Sequence, residues 1–238
     1  MKPLGRKSYG SIPHLIGSKL GEGDHHVHDG QHRICTEKTR DKHDLVIVQE
    51  KYDGSNVAVA KVNGQIIALT RSGYTAESSP YSQHHFFAKW VEKNKGRFDC
   101  LLKPNERISG EWLLQAHGLK YWIENEPFVA FDIFTAKNER LCYSEFEGRT
   151  SLVFNLPRIL WRRNEASEIW AMMSELTRHS THPVMAHEIP EGLVYRVERK
   201  GKVDFLAKFV RNDFVPGSYL PEISGQPEVF NFNISDCC

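Results

Sequence analysis

Lys51-Tyr52-Asp53-Gly54 is the first segment of this chain whose residue types suggest covalent chemistry. A lysine amine is a nucleophile only when unprotonated, and with an ordinary pKa of about 10.4 only about one molecule in a thousand is neutral near pH 7.4. Lowering that value by two to three units requires about 3–4 kcal/mol of differential interaction. A neighbouring cation such as Lys208, or a bound divalent metal, would supply it. Asp53 lies two residues on and would share a strand face with Lys51, from which it could orient the amine. Gly54 permits a tight backbone approach. Alone, these four residues are a weak pattern, and a solvated lysine at a strand end is its commoner meaning.

The order of the downstream segments changes that weighting. Thr70-Arg71-Ser72-Gly73 is followed by Gly110-Glu111-Trp112-Leu113, then Phe131-Asp132-Ile133, then Glu191-Gly192-Leu193-Val194-Tyr195-Arg196, and last Ala207-Lys208-Phe209. As an ordered set they resemble the motifs of the covalent nucleotidyltransferases, the superfamily of ATP-dependent DNA ligases, RNA ligases and mRNA capping enzymes. GEWLLQAHGLKY followed by PFVAFDIF is similar to the ATP-dependent RNA ligases more than to the other branches.

The resemblance implies that Lys51 attacks the α-phosphate of ATP, expels pyrophosphate and holds AMP, which then passes to a 5′-phosphate end before a 3′-hydroxyl displaces it. Phosphoryl transfer needs charge neutralisation and placement more than proton chemistry, which suits a site of lysine, arginine and metal-directing carboxylates. By resemblance Glu191 guides the divalent metal, Mg2+ or Mn2+, and Lys208 contacts the α-phosphate. Glu111 binds the ribose hydroxyls, Phe131 stacks on adenine, and Arg71 contacts the ribose or the 5′-phosphate end. Glu50 could reach the adenine edge, Asp132 could hold adjoining backbone or a cation, and Asp53 and Asn56 complete the nucleotide-binding set. Phe131 has a competing meaning as a core aromatic, because Val129, Ile133 and Phe134 are apolar too.

One position departs from the family pattern. The last motif commonly carries two lysines, whereas Leu206 stands at the first here. Lys200, Lys202 or Arg211 would substitute, or one cation is dispensable. RNA, nicked or single-stranded, is the implied partner. The alternatives are a minimal DNA ligase, a capping guanylyltransferase, or an inactive nucleic-acid-binding relative; intact Lys51, Glu111, Glu191 and Lys208 argue against the last.

The elements that must position these residues are mostly strands. LVIVQ and NVAVA flank the KYDG segment, and Asn63-Gly64 between apolar alternations is a strong hairpin signal, giving an expected antiparallel meander from about Leu45 to Thr70. Strand-like runs recur at RISGEWLL, PFVAFDIF, GLVYRV and DFLAKFV. Phe86, Phe87, Trp90 and Val91 at helical spacing predict a helix from Ser79-Pro80 to about Lys95, stopped at Gly96. A second helix is expected from about Glu165 to Arg178, with Asn164 as N-cap and Ile169, Met172, Met173 and Leu176 inward. Strands outnumber helices without βαβ alternation, so the fold class is α+β, a nucleotidyltransferase domain of antiparallel sheets with flanking helices.

The catalytic domain is expected over residues 1–215. Residues 216–238, rich in Pro, Gly and Ser, form an extended tail too short for the OB-fold barrel that DNA ligases and capping enzymes carry by resemblance. The 238 residues, 40% hydrophobic and 26% charged, can bury a full core and exclude a disordered or fibrous protein. A net charge of +1 gives no global attraction for a polyanion. The N-terminus lacks the apolar core of a signal peptide and no stretch approaches the roughly 20 apolar residues of a membrane span. The expectation is a soluble, cytoplasmic monomer. Cys35, Cys100, Cys142, Cys237 and Cys238 lack zinc-site spacing and are expected as reduced thiols. His25, His26, His28 and His32 fall in a Gly/Asp-rich stretch that is expected to be a mobile loop, with a transition-metal site as the sharper alternative. His84 and His85 are expected to face solvent at a helix start, and His117 to line the site.

Overall fold

The fold of the computed structural model, which describes residues 2–178 and 180–237, is built on two four-stranded antiparallel sheets. In chain order the elements of the first half are α1 (Asp29–Thr36), β1 (Asp44–Lys51), β2 (Ser55–Val62), β3 (Gln65–Thr70), α2 (Ser82–Lys93), α3 (Lys95–Leu101) and β4 (Arg107–Trp112). The second half adds β5 (Tyr121–Ile123), β6 (Phe128–Phe134), α4 (Tyr143–Thr150), β7 (Ile159–Arg163), α5 (Ile169–Leu176), β8 (Val184–Ala186), β9 (Gly192–Arg199) and β10 (Lys202–Val210). Two one-turn helices follow, α6 (Pro221–Ser224) and α7 (Ile234–Cys237). The first sheet runs β10-β9-β1-β7, the second β3-β2-β4-β6, and β5 pairs with β8 in a small ribbon.

Period-two alternation assigns the faces. Leu193, Tyr195 and Val197 of β9 and Ala207 and Phe209 of β10 pack with Val46 and Val48 beneath α5, whose Ile169, Met172, Met173 and Leu176 all point inward. The intervening Val194, Arg196, Leu206 and Lys208 therefore face the second sheet. In that sheet Val57, Val59, Ile108, Trp112, Phe128 and Ala130 bury against Phe87, Trp90, Val91 and Phe98 of α2 and α3. This aromatic-rich core leaves the opposite face free for a cleft between the sheets.

The β2–β3 hairpin turns at Asn63-Gly64 with both residues at positive φ, as the sequence requires. The expected continuous meander does not form. β1 belongs to the first sheet and β2 to the second, so Tyr52–Gly54 is a crossover between sheets. Gly54 is obligatory there: an added Cβ would lie 2.5 Å from the carbonyl oxygen of Trp112.

Other expectations shift at element ends. The helix expected to stop at Gly96 breaks at Asn94 and resumes as α3, which runs through Gly96. The helix expected from Glu165 begins at Ile169 with Glu168 as N-cap, because the Asn164 amide instead donates to the carbonyls of Lys42 and Asp44. The histidine-rich stretch is a loop with two backbone contacts to His14, leading into a helix. His14 N–H donates to His25 O and Val27 N–H to His14 O, and α1 then starts at Asp29. Among the described residues no group of three or more His, Cys, Asp or Glu side chains is arranged to hold a metal ion.

Residues 8–27 form a strap beside β10, fixed by Leu15 N–H to Lys208 O at 2.8 Å and Lys208 N–H to Pro13 O at 2.9 Å. β10 would otherwise be an unpaired edge. After Val215 the chain returns to the second sheet, where the Asn231 side chain binds Leu113 O and Tyr121 N–H, and Phe230, Phe232 and Cys237 join the main core. Cys35, Cys100 and Cys142 are free thiols, and Cys238 lies outside the described residues. Among the described residues no helix is long and apolar enough to cross a membrane.

Candidate active site

Lys51 is the last residue of β1 and projects into the cleft between the sheets, where its Nζ is ion-paired with Glu191. Glu191 comes from the residue just before β9, because Lys51 and Gly192 face each other in register. Gly192 makes this approach possible, since a Cβ there would sit 1.8 Å from Phe209 O. Glu111 faces the same cleft from β4, and its Oε1 accepts the Gly54 N–H at 3.2 Å. The crossover thus brings the amine of one sheet against a carboxylate of the other.

The protein's own charges in this cleft favour the protonated amine. Burial pulls the Lys51 amine down, but Glu191, Glu111 and Asp53 outweigh it and hold Lys51 above its ordinary value. These side chains by themselves stabilise the ammonium form, so the loss of a proton that nucleophilic use needs falls to the cations that join them. The carboxyls answer in kind: burial pushes Glu111 up to about 8, against the opposing pull of Lys51, and burial likewise raises Glu191. Lys208 is lowered first by burial and then by Lys51.

Phe131 and Asp132 share the cleft because of a bulge. The β4–β6 register slips between Ser109 and Gly110, where Ser109 faces Asp132 and Gly110 faces Ala130, leaving Phe131 as the extra residue. Phe128 and Ala130 point into the aromatic core before the slip and Ile133 points there after it. Phe131 is consequently half-exposed on the cleft wall and not packed in the core, with Tyr9 edge-on to its ring at 5.1 Å.

Asp132 has a different situation from a ligand-binding carboxylate. It is 1% exposed and accepts from Tyr9 Oη at 2.7 Å, Arg140 Nε at 3.1 Å and Arg196 Nη1 at 2.6 Å. Arg196 also donates to Glu198 at 2.7 Å and to the Leu141 carbonyl. The cluster ties β6, β9 and the N-terminal strap together under the cleft.

The remaining expected residues divide. Asn56 and Arg71 line the cleft, and Arg71 Nη2 reaches Ser11 Oγ of the strap at 3.2 Å. The buried Asn56 Oδ1 and Glu50 Oε1 lack protein partners, and burial pushes Glu50 up to about 7. Asp53 does not share a strand face with Lys51, because β1 has ended; its carboxylate accepts the Gly118 N–H at 2.5 Å and its own N–H donates to Tyr121 Oη. His117 lines neither the cleft nor the groove that continues past Lys51 toward Ser72 and His84, and bonds Gln83 instead. His84 is half-buried against Ser79 Oγ, contrary to the solvent-facing expectation, and burial lowers it to about 4, whereas His85 is exposed.

Leu206 is 8% exposed and forms part of the wall opposite Phe131's sheet. Lys200 and Lys202 sit at the far end of the β9–β10 hairpin and do not line the cleft, and Arg211 is engaged with Asp213 and the carbonyls of Ile189 and Pro190. None of the three takes the missing lysine's place. Arg196 faces Leu206 in register, but Asp132 and Glu198 neutralise it.

Sequence reasoning overlooked Tyr9, Gly10 and Ile12 of the strap, which line the cleft. No motif marked them. Arg196 was visible as a charge inside an apolar strand run, a pattern that signals a buried ion pair.

The model of the RNA ligase family matches residues 44–210. The chain belongs to the RNA ligase family. A search among curated proteins by sequence finds no match. Among solved structures the ligase fold is similar to a Naegleria gruberi RNA ligase with pyrophosphate, at TM-score 0.51 and 18% identity over 78% of this chain and 53% of that one. A mutant of that enzyme with ATP and Mn matches at TM-score 0.50 and 19% identity, over 72% and 51%. An archaeal ATP-dependent RNA ligase matches at TM-score 0.54 and 18% identity, over 85% of this chain and 48% of that one. The chain thus spans about half the length of the solved ligases it matches. At these identities the structural likeness is one of fold, that of the RNA ligase nucleotidyltransferase domain.

Proposed function

We propose that this chain is an ATP-dependent RNA ligase that works through AMP bonded to Lys51. The observation that carries the reading is the convergence, on one cleft between the sheets, of Lys51, Glu111, Glu191, Lys208 and the half-exposed ring of Phe131. Family membership over residues 44–210 supports it, as does the fold shared with ligases crystallised with ATP and Mn.

The Lys51 ammonium is charge-matched by Glu191. For attack it must lose a proton, and Glu191, already hydrogen-bonded to Nζ and raised by burial, is placed to accept it. The Nζ lone pair then forms a bond to the α-phosphorus while the bond to the β-phosphate oxygen breaks, its electron pair leaving with pyrophosphate. Lys208 opposes the charge that develops on the α-phosphate oxygens. Phe131 offers a stacking face to the base, Glu111 an acceptor for ribose hydroxyls, and Asn56 an unpaired acceptor beside them.

Mg2+ or Mn2+ fits the donor set without a preformed protein cage. Such an ion takes one or two carboxylates and completes its shell from phosphates and water, and Glu191, beside Lys51 Nζ, offers one. It supplies charge neutralisation at the triphosphate when bound. The groove past Lys51 toward Arg71, Ser72 and His84 gives a 5′-phosphorylated end access to the AMP, after which a 3′-hydroxyl displaces it, as in sealing a broken RNA.

Incubation with labelled ATP and Mg2+ or Mn2+, followed by denaturing electrophoresis, tests the reading. The wild-type chain should carry label and Lys51→Ala none. Label that persists on Lys51→Ala overturns the assignment.

A further inference from the structure

Lys208 stands without the second lysine that the family pattern places two residues before it, and the strap supplies something in its vicinity. His14 is 2% exposed and bonds on both ring nitrogens, to Ser18 Oγ at 2.7 Å through Nδ1 and to Asp24 Oδ2 at 2.9 Å through Nε2. The other oxygen of Asp24 lies 3.6 Å from Lys208 Nζ. Ser18 Oγ accepts the Val210 N–H at 2.9 Å.

These contacts form a loop that begins and ends on β10. Val210 N–H donates to Ser18, the Ser18 hydroxyl donates to His14 Nδ1, His14 Nε2–H donates to Asp24, and Asp24 faces the Lys208 ammonium. The carboxylate can only accept, so Nε2 carries the proton, and in the neutral ring, which burial favours, Nδ1 is left as the acceptor of the Ser18 hydroxyl. The backbone locks the same groups: His14 and Lys208 are bridged in parallel, and Gly21 N–H donates to Asp24 Oδ2 at 3.2 Å. A carboxylate held by two donors on one oxygen presents its other oxygen in a fixed place.

We infer that Asp24 is the positioning residue for Lys208, holding the side chain of this one cleft-facing β10 lysine toward the cleft where the family pattern has a pair. The inference rests on the reading that Lys208 meets the α-phosphate. Asp24 needs no contact with nucleotide; it acts through the lysine, and His14 and Ser18 act through Asp24. The strap is thereby part of the phosphate-binding apparatus as well as the cover of an exposed sheet edge.

A double-mutant cycle on full-length protein tests this. The rate of Lys51 labelling by ATP is measured for wild type, Asp24→Asn, Lys208→Ala and the pair. Misplacement of a phosphate-contacting group lowers such a rate by about ten- to a hundredfold, so Asp24→Asn should fall in that range and Asp24→Glu should recover most of the loss. In the Lys208→Ala background Asp24→Asn should cost nothing more, since the group it positions is gone. Independent, multiplying losses would overturn the inference and return Asp24 to a purely structural role, as would a wild-type rate for Asp24→Asn. If Lys208→Ala alone labels at the wild-type rate, the reading of Lys208 fails instead, and the two failures are distinguishable.

Discussion

Replacing Asp132 by alanine should be among the most destabilising single changes in this protein, and the structure sets the scale. Asp132 is 1% exposed and accepts from three donors on three separate segments, Tyr9, Arg140 and Arg196. Breaking a buried ion pair by removing one partner costs about 3–5 kcal/mol, because the other charge stays buried. Arg196, itself 1% exposed, keeps Glu198 at 2.7 Å, which places its share at about 3 kcal/mol, the lower end. The Tyr9 hydroxyl, buried with the rest of its side chain, loses its partner at a further cost of about 1–3 kcal/mol. Together these give about 4–6 kcal/mol, a large part of the 5–15 kcal/mol typical of folded domains. For a chain of this size each kcal/mol lowers Tm by about 2–4 °C, so a fall of about 10 °C or more is expected by calorimetry, with a matching drop in urea midpoint. A loss under about 1 kcal/mol would refute the claim that the cluster is a buried network anchored on this carboxylate. Loss of the Tyr9 contact should also weaken ATP binding, because Tyr9 both anchors the strap and abuts Phe131.

Other perturbations have equally definite expectations. Gly192→Ala drives a Cβ to 1.8 Å from Phe209 O, a backbone atom that no rotamer can clear, so β9 and β10 must part beside Glu191; stability should fall by about 1–3 kcal/mol in urea melts, with loss of Lys51 labelling. Glu111 has a pKa raised to about 8 from its ordinary 4.5, so its contribution to stability is full below about pH 4.5 and is lost as pH rises toward about 8. Glu111→Gln abolishes that titration, and the Tm of the variant relative to wild type should climb from pH 5 to pH 8; a constant difference would contradict the raised value. Phe131→Ala should raise the ATP concentration needed for half-maximal labelling by about tenfold, the worth of about 1–2 kcal/mol of aromatic stacking, while leaving Tm nearly unchanged, since the ring lies on the cleft wall outside the main core; a large Tm loss would restore its reading as a core aromatic.

Much of the fold is written locally. β2, β3, β4, β6, β9 and β10 all follow alternating apolar runs, and the Asn63-Gly64 turn announces its hairpin. Sheet membership is a different matter, because nothing in NVAVA says that the chain changes sheets at Gly54. The bulge at Phe131 is similarly silent, since one extra residue in a strand alters no composition, yet it decides that Phe131 and Asp132 both face the cleft. The order of motifs was enough to bring Lys51, Glu111, Glu191 and Lys208 together. Their electrostatics were not legible: that Lys51 is held as an ammonium depends on three carboxylates from three other places in the chain. The strap was hardest to foresee, because the contacts that tie it to the site, Tyr9 with Asp132 and Asp24 with Lys208, join residues more than a hundred positions apart.

That long reach has a consequence for biogenesis. The strap is synthesised long before β10, the strand it must join. Contacts between residues so distant in sequence close late and slowly. A nascent chain will therefore carry Lys51 and an undocked strap until Glu191 and Lys208 have been made, and it gains a competent nucleotide pocket only when the strap meets β10.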